Sequence, residues 1–146
     1  KKHKSIVNEL ISFAAICLAS PLAYGATTGN LSIEAVGMWI LNTLFFSSAI
    51  YTIKLRKKRT QSLTPGIIYH GVSLLVITGL YGLDCLSLVT ALSFLIALIK
   101  FGIVNCVLEW YRQAKFQAIA IFETRFALVY TAIACISVLP AHLPPS

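Results

Sequence analysis

The stretch Lys54-Leu55-Arg56-Lys57-Lys58-Arg59 gathers five of the twelve Lys and Arg residues of this chain into six positions. Apolar runs of near membrane-spanning length lie on both sides of it. Such a cluster crosses a bilayer centre only at high cost, so it stays on the cytoplasmic side during insertion. Fixing that loop fixes the direction of every other segment. With Glu109 to Lys115 it also predicts a cytoplasmic basic surface suited to anionic lipid or an acidic partner face, carried by Lys54, Arg56, Lys57, Lys58 and Arg59.

Composition supports a membrane assignment. Of 146 residues, 58% are hydrophobic and 12% charged, and mean hydropathy is +0.82. A soluble domain carries roughly 25% charged residues, so half of the usual solvating surface is missing. The net charge of +7 raises nucleic acid as a partner. However, the positive charges sit at the ends of apolar runs, and positive-inside topology accounts for them; no nucleic acid is expected. The chain opens at Lys1 rather than Met, which predicts further sequence upstream. Lys1, Lys2, His3 and Lys4 followed by an apolar run resemble a secretory signal, but the segment is read as a retained first span.

Outward from the basic cluster, five spans follow at about 6–24, 33–53, 65–83, 86–108 and 118–139. Each is about as long as a hydrocarbon core of roughly 30 Å requires. The first carries Ala15, Ala19 and Ala23 at i, i+4 spacing, a small-residue stripe that lets another helix approach closely. Pro21 is a kink or an exit point, and Gly25 to Asn30 reads as an outer loop. Ser32 is a candidate N-cap for the second span, with Glu34 in its first turn. Pro65 is placed to open the third. Tyr81 to Cys85 is an outer loop, and Glu109 to Lys115 an interfacial segment with Trp110 and Tyr111 at headgroup depth. The fifth span repeats the small-residue stripe as Ala127, Thr131 and Cys135. Pro140, Pro144 and Pro145, with His142 between them, end the chain outside. The expected fold is therefore an all-α, five-span transmembrane bundle in one domain, N-terminus in and C-terminus out.

Few residues carry chemistry. Lys100 interrupts an apolar run about eight residues from the inner end, some 12 Å at 1.5 Å per residue. It snorkels, or pairs with Glu123 or Glu109, the preferred pair being Lys100 with Glu123. Glu123 and Arg125, two apart, point to different sides of a helix and cannot simply neutralise each other. The three are read either as an intramembrane ion pair or ligand contact, or as structural and interfacial charge. His70 is a candidate ligand for a metal or for the magnesium of a chlorophyll, against the plainer reading of an interhelical hydrogen bond. Asn42 and Asn105 read as interhelical hydrogen-bond donors. The four cysteines show no CxxC and no ligand spacing with His; Cys85 and Cys135 are the pair for which a disulfide is considered. There is no phosphate loop, HExxH, Ser/His/Asp set or DxxxD pair, Asp84 being the sole aspartate, so no catalytic residue and no metal site are expected.

Asn8 to Ala15, Ser20 to Tyr24 with Thr28-Gly29, and Trp39 to Phe46 leading into the basic loop resemble the YwiC-like family of bacterial membrane proteins. The resemblance runs more weakly through Lys100 to Phe122-Glu123. Family members begin with further helices carrying a His-Gly-Ala-Trp-type motif, which this sequence lacks. The resemblance implies a polytopic protein of a bacterial inner membrane or, in a cyanobacterial member, a thylakoid membrane, where His70 would face chlorophyll or carotenoid. The expected function is a non-enzymatic subunit or assembly factor of a membrane complex, with lipids and other integral membrane proteins as partners. The alternative is a fragment of a transporter or lipid/prenyl-processing enzyme completed by helices outside this sequence.

Overall fold

A computed structural model describes residues 6–57 and 62–138. Lys58 and Arg59 of the basic cluster, and Pro140 to Pro145, lie outside the described residues. The described chain is helical, with no strand among those residues: α1 (Ile6–Cys17), α2 (Ala19–Thr28), α3 (Ile33–Lys54), α4 (Thr64–Gly82), α5 (Leu88–Leu92), α6 (Leu95–Cys106), α7 (Leu108–Gln113) and α8 (Phe116–Val138). Five helical segments are long and apolar enough to cross a membrane: 6–26, 33–54, 64–82, 88–106 and 116–138. This is an integral membrane protein.

The first span is not one straight helix ending near Tyr24. It breaks at Leu18 and then continues as α2 to Thr28, so the expected loop from Gly25 is mostly helix. Pro21 explains the break. It has no N–H to give the Cys17 carbonyl, and its ring crowds that carbonyl. The chain answers with a tighter turn, Leu18 N–H donating to the Ala15 carbonyl at 3.3 Å. The helix ends where Gly29 takes φ 76°, and its N–H returns to the Gly25 carbonyl, an αL cap that glycine enters without steric cost.

The other boundaries follow local chemistry. Ser32 Oγ accepts from the Ala35 N–H at 3.3 Å and starts α3, and Pro65 sits in the first turn of α4. The fourth span also departs from one continuous helix: α5 and α6 are separated at Ser93–Phe94. Ser93 Oγ donates back to the Thr90 carbonyl at 2.6 Å, the kind of local side-chain bond that competes with the helical ladder. The helix continues past Lys100 to Cys106, and α7 follows as a separate short helix.

The second span, α3, is the hub, with α1, α2, α4 and α6 all packed on it. Two buried clusters result. One, around Leu41, Phe45, Phe94, Ala97 and Tyr130, fills the middle of the bundle. The other, around Leu55, Phe101, Val104, Tyr111 and Ile119, seals the basic end. All four cysteines are free thiols, so Cys85 and Cys135 are not bridged.

Candidate functional site

Lys100 and Glu123 meet inside the bundle. Lys100 Nζ stands 2.8 Å from Glu123 Oε2, with Lys100 only 3% exposed at its side chain and Glu123 15%. Helix geometry produces the meeting. Both residues lie about 10 Å inside the basic ends of α6 and α8, and these helices pack side by side. The other carboxylate oxygen, Oε1, accepts from Thr52 Oγ1 at 3.0 Å and from the Tyr111 hydroxyl at 3.0 Å. Three separate elements, α3, α6 and α7, thus converge on one carboxylate of α8. The ammonium also lies 5.5 Å from the centroid of the Phe45 ring, a cation–π distance.

Tyr111 is the largest departure from the sequence expectation. It is fully buried, whereas Trp110 beside it is exposed as an interfacial residue should be. Burial, and then the Glu123 carboxylate, push the Tyr111 hydroxyl above the usual tyrosine range, so it is a firm hydrogen-bond donor at any physiological pH. Sequence offered no signal for it, because tyrosine in an interfacial stretch normally faces headgroups. Thr52 was equally silent.

A groove runs from this cluster toward the opposite end of the bundle. Beside Lys100 and Glu123 is a pocket of about 170 Å³ walled by Phe13, Phe46 and Ala127. Phe13 and Phe46 also border a larger cavity of about 620 Å³ in the middle of the bundle. That cavity shares Ser20, Met38 and Val138 with a third, of about 590 Å³, at the far end. The three form one path between the first span (α1–α2) and α8, floored by α3. The two larger volumes, about 620 and 590 Å³, lie within the usual range of ligand pockets, about 300–1,000 Å³. Ala19 and Ala23 stand on one wall, and Ala127, Thr131 and Cys135 on the other. Ala15 is exposed on α1 and does not line the path. Midway, the Tyr130 hydroxyl donates to Asn42 Oδ1 at 2.6 Å, so Asn42 joins two helices as an acceptor rather than a donor. At the far end Ser87, Thr90 and Ser137 form a hydroxyl chain at 2.7 and 2.8 Å.

The remaining predicted residues are placed differently. Arg125 is exposed on α8 and belongs to no ion pair among the described residues; it does not join Lys100 and Glu123. Arg56 is turned inward. Its guanidinium donates to the Ala114 carbonyl, while Arg112 Nε donates to the Leu55 carbonyl at 3.0 Å. These reciprocal bonds stitch the end of α3 to the end of α7, so Arg56 is a clamp rather than part of a free basic surface. Lys54 pairs with Glu9 at 2.8 Å, tying α3 to α1, and Lys57 is exposed. Asn105 Oδ1 is buried without a partner.

His70 is buried and its ring is stacked on Phe101 with centroids 4.4 Å apart. Among the described residues no group of three or more His, Cys, Asp or Glu side chains can hold a metal ion. The arrangement can bind an apolar chain or helix along the groove and present hydrogen-bonding groups at its two ends. No family model, no curated protein and no solved structure matches this chain.

Proposed function

We propose that the protein is a non-catalytic membrane subunit or assembly factor that seats a transmembrane helix of a partner in the groove between its first and fifth spans. One observation carries this reading: two small-residue walls, Ala19 and Ala23 opposite Ala127, Thr131 and Cys135, border one path. Small residues let a third backbone approach closely, and close approach drives helix association in lipid, where apolar surface alone gives no preference. The hydroxyls at the far end and the Asn42–Tyr130 pair midway give such a helix polar contacts. Pigment binding at His70 forms no part of the proposal.

Ala19→Phe and Thr131→Phe test it. Both positions are exposed, so each variant should fill the groove without disturbing the core. The expected result is a protein that melts like wild type in detergent but no longer co-purifies with the membrane protein that accompanies wild type from native membranes. Wild type isolated alone and monodisperse at native expression counts against the reading.

The pocket beside Lys100 and Glu123 favours a second reading, a transporter or lipid/prenyl-processing enzyme whose site other helices complete. There the ion pair would contact the substrate's polar group.

A further inference from the structure

Among the described residues, three of the five buried side-chain atoms without a hydrogen-bond partner lie on two neighbouring helices: Ser47 Oγ on α3, and His70 Nε2 and Ser73 Oγ on α4. Their residues are 0, 4 and 1% exposed respectively. Ser73 follows His70 by three positions, so both lie on the face of α4 turned into the bundle. The Tyr69 hydroxyl is beside the two serines: it donates to the Leu44 carbonyl at 2.8 Å, and both serine hydroxyls flank it without completing a bond of good geometry. In the neutral His70 ring, Nδ1 lies 2.7 Å from the Gly66 carbonyl. A carbonyl only accepts, so Nδ1 carries the hydrogen and Nε2 is left as an acceptor.

An unsatisfied buried hydroxyl or imidazole nitrogen carries its full desolvation penalty; Ser47 and Ser73 meet at the Tyr69 hydroxyl, and His70 is one turn from Ser73. Water removes the penalty where a site offers it two to four polar partners. Ser47, Ser73 and the lone pairs of Tyr69 provide three, and Nε2 of His70 a fourth.

We propose that the α3–α4 interface is a hydration site, in which one or more water molecules bridge Ser47, Ser73 and Tyr69 and donate to Nε2 of His70. The ligand is water, held about 8–14 Å along α4 from its basic end at 1.5 Å per residue. The consequence is a buried histidine whose Nε2 is satisfied although its ring is packed against Phe101. This inference goes beyond the groove and does not depend on what the groove holds.

Radiolytic hydroxyl labelling of the full chain in nanodiscs tests it, because radicals formed from bound water modify the side chains beside that water. Wild-type His70 should be modified several-fold faster than Phe94, which is 1% exposed within the apolar cluster. In a Ser47→Ala/Ser73→Ala double variant, His70 labelling should fall toward that of Phe94 and the melting midpoint should drop. Labelling of wild-type His70 no faster than that of Phe94 overturns the proposal. So does a double variant that melts at or above the wild-type midpoint, since alanine is the better helix former and deleting hydroxyls from a dry interface removes a penalty.

Discussion

Glu123 accepts from a lysine, a threonine and a tyrosine held by three other elements, and this makes single substitutions there costly. Lys100→Met removes the cation and leaves a nearly buried carboxylate to be protonated or desolvated; breaking one side of a buried pair costs about 3–5 kcal/mol. Adding Glu123→Gln restores neutrality while an amide oxygen still accepts from Thr52 and Tyr111. The melting midpoint in detergent should therefore fall sharply in the single variant and recover most of the loss in the double. Equal losses in both would show that the pair contributes only through packing. If the transporter or enzyme reading is right, the double variant stays inactive although stable. The two charged members of the cluster were legible in the sequence, because a lysine and a glutamate in apolar runs must find each other or water. Its two hydroxyl members were not, since neither Thr52 nor Tyr111 breaks the pattern around it.

At the scale of elements, close approach to α3 controls the packing. A methyl group added at Gly37 would stand 2.5 Å from the Cys85 carbonyl oxygen, a backbone atom with little freedom to retreat. Gly37→Ala should destabilise by about 1–3 kcal/mol, the usual cost of overpacking. Gly71→Ala on α4 meets nothing within 4 Å and should be neutral or stabilise, since alanine is favoured over glycine in helices by about 1 kcal/mol; comparing the two melts checks both. The number of spans and nearly all their ends could be read from apolar length and flanking charge. The breaks at Leu18 and at Ser93–Phe94 could not be placed. Pro21 pointed to a disturbance, yet its effect falls one turn earlier at the carbonyl it cannot serve. The Ser93 break depends on a side-chain bond whose competition with the ladder is decided by packing.

For the whole molecule, orientation is the property most open to test. The positive-inside rule predicts a cytoplasmic Lys54–Lys57 end. In a background with the native cysteines replaced, Leu83→Cys, at an exposed position between α4 and α5, should react with a membrane-impermeant maleimide on intact cells. Lys115→Cys, exposed between α7 and α8, should react only after permeabilisation. The opposite pattern would invert the bundle. The groove lay beyond sequence reading for a geometric reason: both small-residue stripes were visible, but only the fold shows that they border the same path.

The reciprocal bonds of Arg56 and Arg112 join residues 58 and 57 positions apart. During synthesis the end of the second span therefore waits for two further spans before its clamp exists. The bond from Thr52 to Glu123, 71 positions apart, waits longer still. Until then the Arg56 guanidinium has to be satisfied by water or lipid phosphate at the membrane surface. The ribosome thus delivers an open intermediate that closes only as the last helix enters. Under the proposed function, that late closure is a period in which the future groove has just one wall and stands open to the partner helix.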